Sequence, residues 1–227
     1  MKRPNESVNL RILIATGGAP HSNVAVESAL LLAPPDARLI VVSVALARSV
    51  RGRAKKIAAA AQNRAIARGF SAEAAVRVGR AGPEIVAAAH EASAQLVVVG
   101  ERPRHRLRTR LMGSVTAYVA EHAPCPVFIA KGVPRPLQRV LICDSGGGAP
   151  PLIQLLAEAR WLHPLIRPAQ VRVLHVMSQM VAAPGVPAAQ LTADAGELMA
   201  RSTLEGRLLA EDVASLLADD FAVEAKV

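Results

Sequence analysis

The chain has 227 residues, 52% of them hydrophobic and 20% charged, with a mean hydropathy of +0.29. It therefore has material for one or two packed domains, and intrinsic disorder is excluded. Its formal charge of +9 suits acidic partners such as phosphates, nucleic acid or an anionic membrane, and arginine supplies most of it, since only five of the 27 basic residues are lysine. Aromatic residues make up 2%, too few for a platform on which bases stack, and Cys125 and Cys143 make neither a disulfide framework nor a thiolate metal centre.

Met1 to Ser7 is followed by no signal-type apolar core, and the apolar run from Leu39 to Ala47 is far shorter than the ~20 residues that span a bilayer. A cytoplasmic chain with no membrane partner is expected. Ile12-Leu13-Ile14-Ala15 is a continuous apolar run closed by Thr16-Gly17-Gly18-Ala19-Pro20, the pattern of a buried parallel strand entering a turn. The spacing then predicts a helix over Ser22 to Ala33, stopped by Pro34-Pro35, and a second buried strand over Leu39 to Leu46. Arg48 to Arg68 reads as an Ala-rich helix with a basic face, capped by Gly69, and Ser71 to Val78 as a third strand. Gly82-Pro83 opens a helix through Ser93; Leu96 to Val99 is a fourth strand ending at Gly100; a basic loop leads to a helix from Ser114 to Ala123 and a last strand from Pro126 to Ala130. Strand and helix alternate throughout, so the expected fold is α/β: an open parallel five-stranded sheet with helices on both faces, Rossmann-like in type.

Gly132-Val133-Pro134-Arg135-Pro136 interrupts the alternation, and the residues beyond it repeat the beginning. Arg139 to Gly146 lies over Arg11 to Gly18, Val171 to Val176 over Leu39 to Val44, and Phe221 to Ala225 over Phe70 to Ala74. The expected organisation is a complete domain over 1–132, a linker over 133–138 and a truncated second copy over 139–227 that holds the first three strands. Its first strand would then present an apolar edge needing cover from the first copy, another protomer or a rearranged segment.

The stretch from Val99 to Val115 stands at the carboxyl edge of the sheet, where open α/β sheets bind ligands. Gly100 allows close backbone approach, Gly113 turns the chain without a Cβ, and Ser114 adds a hydroxyl where the next helix presents unpaired N–H groups, a generic cradle for anions. Arg102, Arg104, Arg106, Arg108 and Arg110 recur at every second residue in the same loop, with His105 among them; Arg102 and Arg104 are the candidates for attracting phosphate. Arg48, Arg51, Arg53, Lys55 and Lys56 form a second basic cluster, which could meet nucleic acid nonspecifically, but no nucleic-acid motif accompanies it.

These residues resemble the universal stress protein family, whose nucleotide-binding members carry glycine, two residues, glycine, nine residues, then glycine with Ser or Thr. Here the series reads Gly100, two residues, Pro103, nine residues, Gly113-Ser114, and continues through Val115 to Val127 with a His-Ala-Pro-Cys-Pro turn at His122 to Pro126. The resemblance covers residues 10 to 131 and, more weakly, the duplicated part. It implies a stress-response protein that is not an enzyme, works as a homodimer and binds ATP, with Mg²⁺, or another adenine nucleotide at loop 100–114. By resemblance, Thr16 and Val44 flank the base and ribose, while Gly100, Gly113, Ser114 and Val115 meet the phosphates. The aspartate that ATP-binding members place after the first strand is Gly17 here, whereas Asp144 stands at that place in the second copy. The alternative implied is a nucleotide-free dimerisation or partner-binding scaffold with a degenerate site; a nucleic-acid-associated protein and a slow ATP hydrolase rank below it.

No catalytic or metal-binding residue is expected. His21, His90, His105, His122, His163 and His175 lack the spacing of zinc ligands, and no Ser stands in a Gly-x-Ser-x-Gly setting. Gly146-Gly147-Gly148 lacks the Gly-Lys-Ser/Thr ending of a P-loop.

Overall fold

The computed structural model describes residues 10–101, 114–144, 170–175 and 223–226, with Leu208, Glu211 and Ser215 as isolated positions. The chain divides into two units, Met1–Pro136 and Leu137–Val227. In the first, elements follow in the order β1 (Arg11–Ala15), α1 (Pro20–Leu32), β2 (Arg38–Ala45), α2 (Arg51–Ala67), β3 (Ser71–Val78), α3 (Ala81–Glu91), β4 (Leu96–Gly100), α4 (Ser114–His122) and β5 (Val127–Ala130). The strands form one parallel sheet in the order β3-β2-β1-β4-β5, so the chain reverses its direction of travel across the sheet between β1 and β4. This is the α/β architecture the alternation of patterns leads one to expect.

Most boundaries fall within a residue or two of the expected ones, and two of the shifts have clear local reasons. Helix α1 starts at Pro20 and not Ser22, because the fixed φ of proline suits the first helical position and its missing N–H is one that position does not use. The stretch from Arg48 is not one helix: Arg48–Val50 is a 3₁₀ turn, and α2 begins at Arg51 behind Val50, which offers no side-chain cap. Gly69 ends α2 as expected, with φ at +88° and its N–H donating to the carbonyl of Ile66 at 2.9 Å.

Register decides which side chains meet. Leu13 stands level with Ile40 on one side and Val97 on the other, and the alternation of a strand sends these three to the same face. There, with Val42 and Val99, they pack against Ile85 and Ala89 of α3 and Val119 of α4. The intervening residues, among them Ile12, Leu39 and Val98, are just as fully buried toward the opposite face. Helix α2 approaches that sheet on a stripe of small residues, Ala54, Ala58, Ala61 and Ala65, all buried. Glu27 of α1 joins it to Arg64 and Arg68 of α2 at 3.1 and 2.7 Å; such part-exposed pairs add ~0–1 kcal/mol each, so the apolar faces set the stability.

In the second unit the described strands are β6 (Arg139–Asp144), β7 (Gln170–His175) and β8 (Val223–Lys226), a parallel sheet in the order β6-β7-β8. Arg139 pairs with Gln170 as Arg11 pairs with Arg38, and Val171 with Val223 as Leu39 with Ala72. Even the hydrogen bond before the ladder recurs: Gln170 N–H to the Gln138 carbonyl at 2.9 Å, Arg38 N–H to the Leu10 carbonyl at 2.8 Å. Asp144 lies level with His175, so this ladder sets it at the place of Thr16 and not of Gly17, one residue short of the aspartate place expected for it.

Candidate functional site

A cleft of about 220 Å³ opens at the carboxyl edge of the first sheet, at the point between β1 and β4 where the strand order reverses. Open α/β sheets present ligand crevices at this place. Thr16, Val44, Gly100, Ser114 and Val115 all line it, so five residues singled out from the sequence come together in one wall-and-rim arrangement. Gly113, Arg102 and Arg104 lie outside the described residues, as does Gly146-Gly147-Gly148.

The first wall is the turn from β1 into α1, and it is closed by its own hydrogen bonds. The Ser22 hydroxyl donates to the Ala19 carbonyl at 2.8 Å and accepts from the Gly17 N–H at 3.2 Å and the Thr16 hydroxyl at 3.4 Å. The Thr16 hydroxyl in turn accepts from the Gly18 N–H at 3.3 Å. Thr16 and Ser22 are therefore buried, and the turn's polar groups are largely spent in holding its shape. Gly18 needs its positive φ of +74°, and the side chain of Ile57 from α2 packs where a Cβ would go. Gly17 is the opposite case: it is exposed, and a Cβ built there would meet nothing within 4 Å.

The second wall is the end of β4. Gly100 is glycine because α1 passes directly over it: a Cβ would strike the carbonyl oxygen of His21, whose carbonyl carbon would lie at 2.7 Å. The close approach anticipated at Gly100 is thus made by the protein's own backbone. From α4, the buried Thr116 hydroxyl donates to the Gly100 carbonyl at 3.3 Å and ties the helix start to the strand end, while Ser114 and Val115 are exposed at the mouth. The floor is aliphatic, with Val42, Val99 and Ile85.

His21, Ser22 and Ile85 are lining residues that sequence reasoning left unassigned. The Pro20-His21-Ser22 run was the available signal for the first two; Ile85 could be placed only by knowing how α3 crosses the sheet. Among the described residues no group of three or more His, Cys, Asp or Glu could hold a metal ion. Cys125, half-buried against the core cluster, has its thiol pushed up to about 11 by burial, which makes it a packing residue and no nucleophile. Among the described residues, no helix is long and apolar enough to cross a membrane.

Fold and cleft together define a class: an open parallel α/β domain with a crevice at its topological switch point. The family model for the universal stress protein family matches residues 9–131, more than half of the chain, and the chain belongs to that family. No curated protein matches it. Among solved structures, a universal stress protein from Archaeoglobus fulgidus DSM 4304 is 17% identical, with 97% of this chain and 80% of that one covered and a TM-score of 0.62, a likeness of fold. A universal stress protein solved in complex with cAMP is 30% identical over 54% of this chain and 96% of that one, with a TM-score of 0.47. Protein Rv1636 from Mycobacterium tuberculosis H37Rv is 31% identical over 55% and 96%, with a TM-score of 0.41.

Proposed function

We propose that this chain is a stress-response binding protein that holds an adenine nucleotide in the cleft between the β1–α1 turn and the start of α4, and that it is not an enzyme. The observation that carries the reading is the convergence of Thr16, Val44, Gly100, Ser114 and Val115 on one cleft at the β1/β4 switch point. Its aliphatic floor of Val42, Val99 and Ile85 fits an apolar ring face, and the Ser114 hydroxyl with the N-terminal N–H groups of α4 fits a phosphate. Any Mg²⁺ would arrive on the nucleotide's phosphates, because the described part of the cleft brings no carboxylate to ligate it. Arg102 and Arg104 are proposed to attract those phosphates, and a homodimer to be the working form.

The test is a thermal-shift titration of the full chain with ATP, with and without Mg²⁺. Binding raises the melting temperature as concentration passes Kd. Gly17→Asp restores the family's carboxylate in open space and is expected to tighten binding about tenfold, ~1.4 kcal/mol. If neither protein shifts at millimolar ATP, the nucleotide reading fails. A second reading, a nucleotide-free dimerisation or partner-binding scaffold, is favoured by one observation: the β1–α1 turn has spent its hydroxyls and the Gly17 and Gly18 N–H groups internally.

The domain reading, a complete copy over 1–132, a linker over 133–138 and a partial second copy over 139–227, is likewise a proposal. The shared registers of the β1-β2-β3 and β6-β7-β8 ladders support it.

A further inference from the structure

The turn after β2 carries two features that the cleft does not use. Leu46, directly after β2, is 81% exposed, and Val50, the last residue of the 3₁₀ turn that leads into α2, is 46% exposed. In the same stretch Arg48, Arg51, Arg53, Lys55 and Lys56 are all exposed, and none makes an ion pair with a described residue. The cations on either side are spent differently: Arg64 and Arg68 on Glu27, and Arg38 on Glu73 at 3.1 Å.

The sequence leaves this charge without a local counterweight. Between Asp36 and Glu73 there is no carboxylate, and the sequence of residues 102–113 adds arginines and no acid. The cations do not serve α2 either, since positive charge in the first turn opposes the helix dipole, and that turn has no acidic residue. With the Ala54–Ala58–Ala61 stripe buried, the exposed basic residues of the first two turns stand off that stripe and follow directly in the chain on Leu46 and Val50.

Cations alone would serve nucleic acid, whose phosphates need no aliphatic contact. Exposed aliphatic side chains in one short stretch with exposed, unpaired arginine and lysine match an anionic bilayer surface, where apolar side chains enter the headgroup boundary and the cations meet the lipid phosphates. We propose that residues 46–56 are a docking surface for anionic lipid bilayers, with Leu46 and Val50 as the inserting tip. Span length argues only against crossing a membrane, and a surface contact needs no span. This proposal does not rest on the nucleotide reading of the cleft.

Co-sedimentation of the full chain with vesicles tests it. The chain is expected to bind phosphatidylcholine vesicles containing about one-third phosphatidylglycerol, to ignore pure phosphatidylcholine, and to be released by about 0.5 M salt. Arg51→Gln with Arg53→Gln and Lys55→Gln should weaken binding about a hundredfold. Leu46→Ser with Val50→Ser should weaken it about tenfold with the melting temperature little changed, because Leu46 is 81% and Val50 46% exposed. Failure to bind the anionic vesicles overturns the proposal. So does vesicle binding that ignores Leu46→Ser with Val50→Ser while a short DNA duplex is retained and then lost on the triple replacement, the outcome that makes nucleic acid the partner.

Discussion

Leu13 and Leu141 occupy corresponding places in two ladders of the same order and register, yet Leu13 is 0% exposed and Leu141 is 58% exposed. Residue type and the pairing with the next strand in the chain are alike, so neither explains the difference. In the first unit β4 continues the sheet beside β1, and α3 and α4 close over the face on which Leu13 lies. Pairing fixes where a side chain stands; the layer laid over it decides what that side chain contributes.

The comparison breaks most directly by truncation. Leu13→Ala should cost ~2–5 kcal/mol in denaturant unfolding, whereas Leu141→Ala should stay within ~0.5 kcal/mol. Circular dichroism follows the whole chain, and Trp161, the single tryptophan, reports from the second unit. Equal losses at the two leucines would mean that Leu141 is covered in solution. Next in size is Gly100→Ala, expected to cost ~1–3 kcal/mol because the obstacle is the His21 backbone and not a movable side chain. Gly17→Ala, with open space around it, is expected to stay within ~0.5 kcal/mol in the same melts. Thr16→Val removes the hydroxyl that links Ser22 to the Gly18 N–H and should cost ~1 kcal/mol. The smallest effect separates the two thiols. Near pH 8 iodoacetamide should label exposed Cys143 and spare Cys125, whose labelling rises only as pH approaches 11, read by mass spectrometry. The folded value of Cys125 lies above its ordinary 9.0, so its contribution to stability is whole below pH 9 and is lost as pH climbs through 11.

The strands of the first unit were legible because a parallel sheet buried on both faces writes itself as unbroken aliphatic runs, as in Leu96 to Val99 and Ile12 to Ala15. The cleft was legible through its glycines and Ser114, since the carboxyl edge of such a sheet is fixed by strand direction alone. Other parts depend on three-dimensional packing. Nothing in the sequence says that Gly100 yields to the passing carbonyl of His21, that Ile57 fills the space beside Gly18, or that Ile85 reaches the cleft floor. The break of the Arg48–Arg68 stretch into a 3₁₀ turn and a helix was hidden because Ser49 and Val50 carry no decisive stop signal. For Asp144, the alignment of Arg139 to Gly146 on Arg11 to Gly18 already stands one residue away from the family's aspartate place, and the ladder agrees with the alignment.

Strand β1 lies at the centre of its sheet, and its neighbour β4 begins at Leu96, eighty-odd positions further along the chain. Made from the amino end, the nascent protein emerges from the ribosome with Ile12, Leu13 and Ile14 lacking one flank until β4 has also been synthesised. Parallel pairing at such separation is slow to close, so the interval favours capture by chaperones, and slower translation between the codons for Val78 and Leu96 would lengthen it.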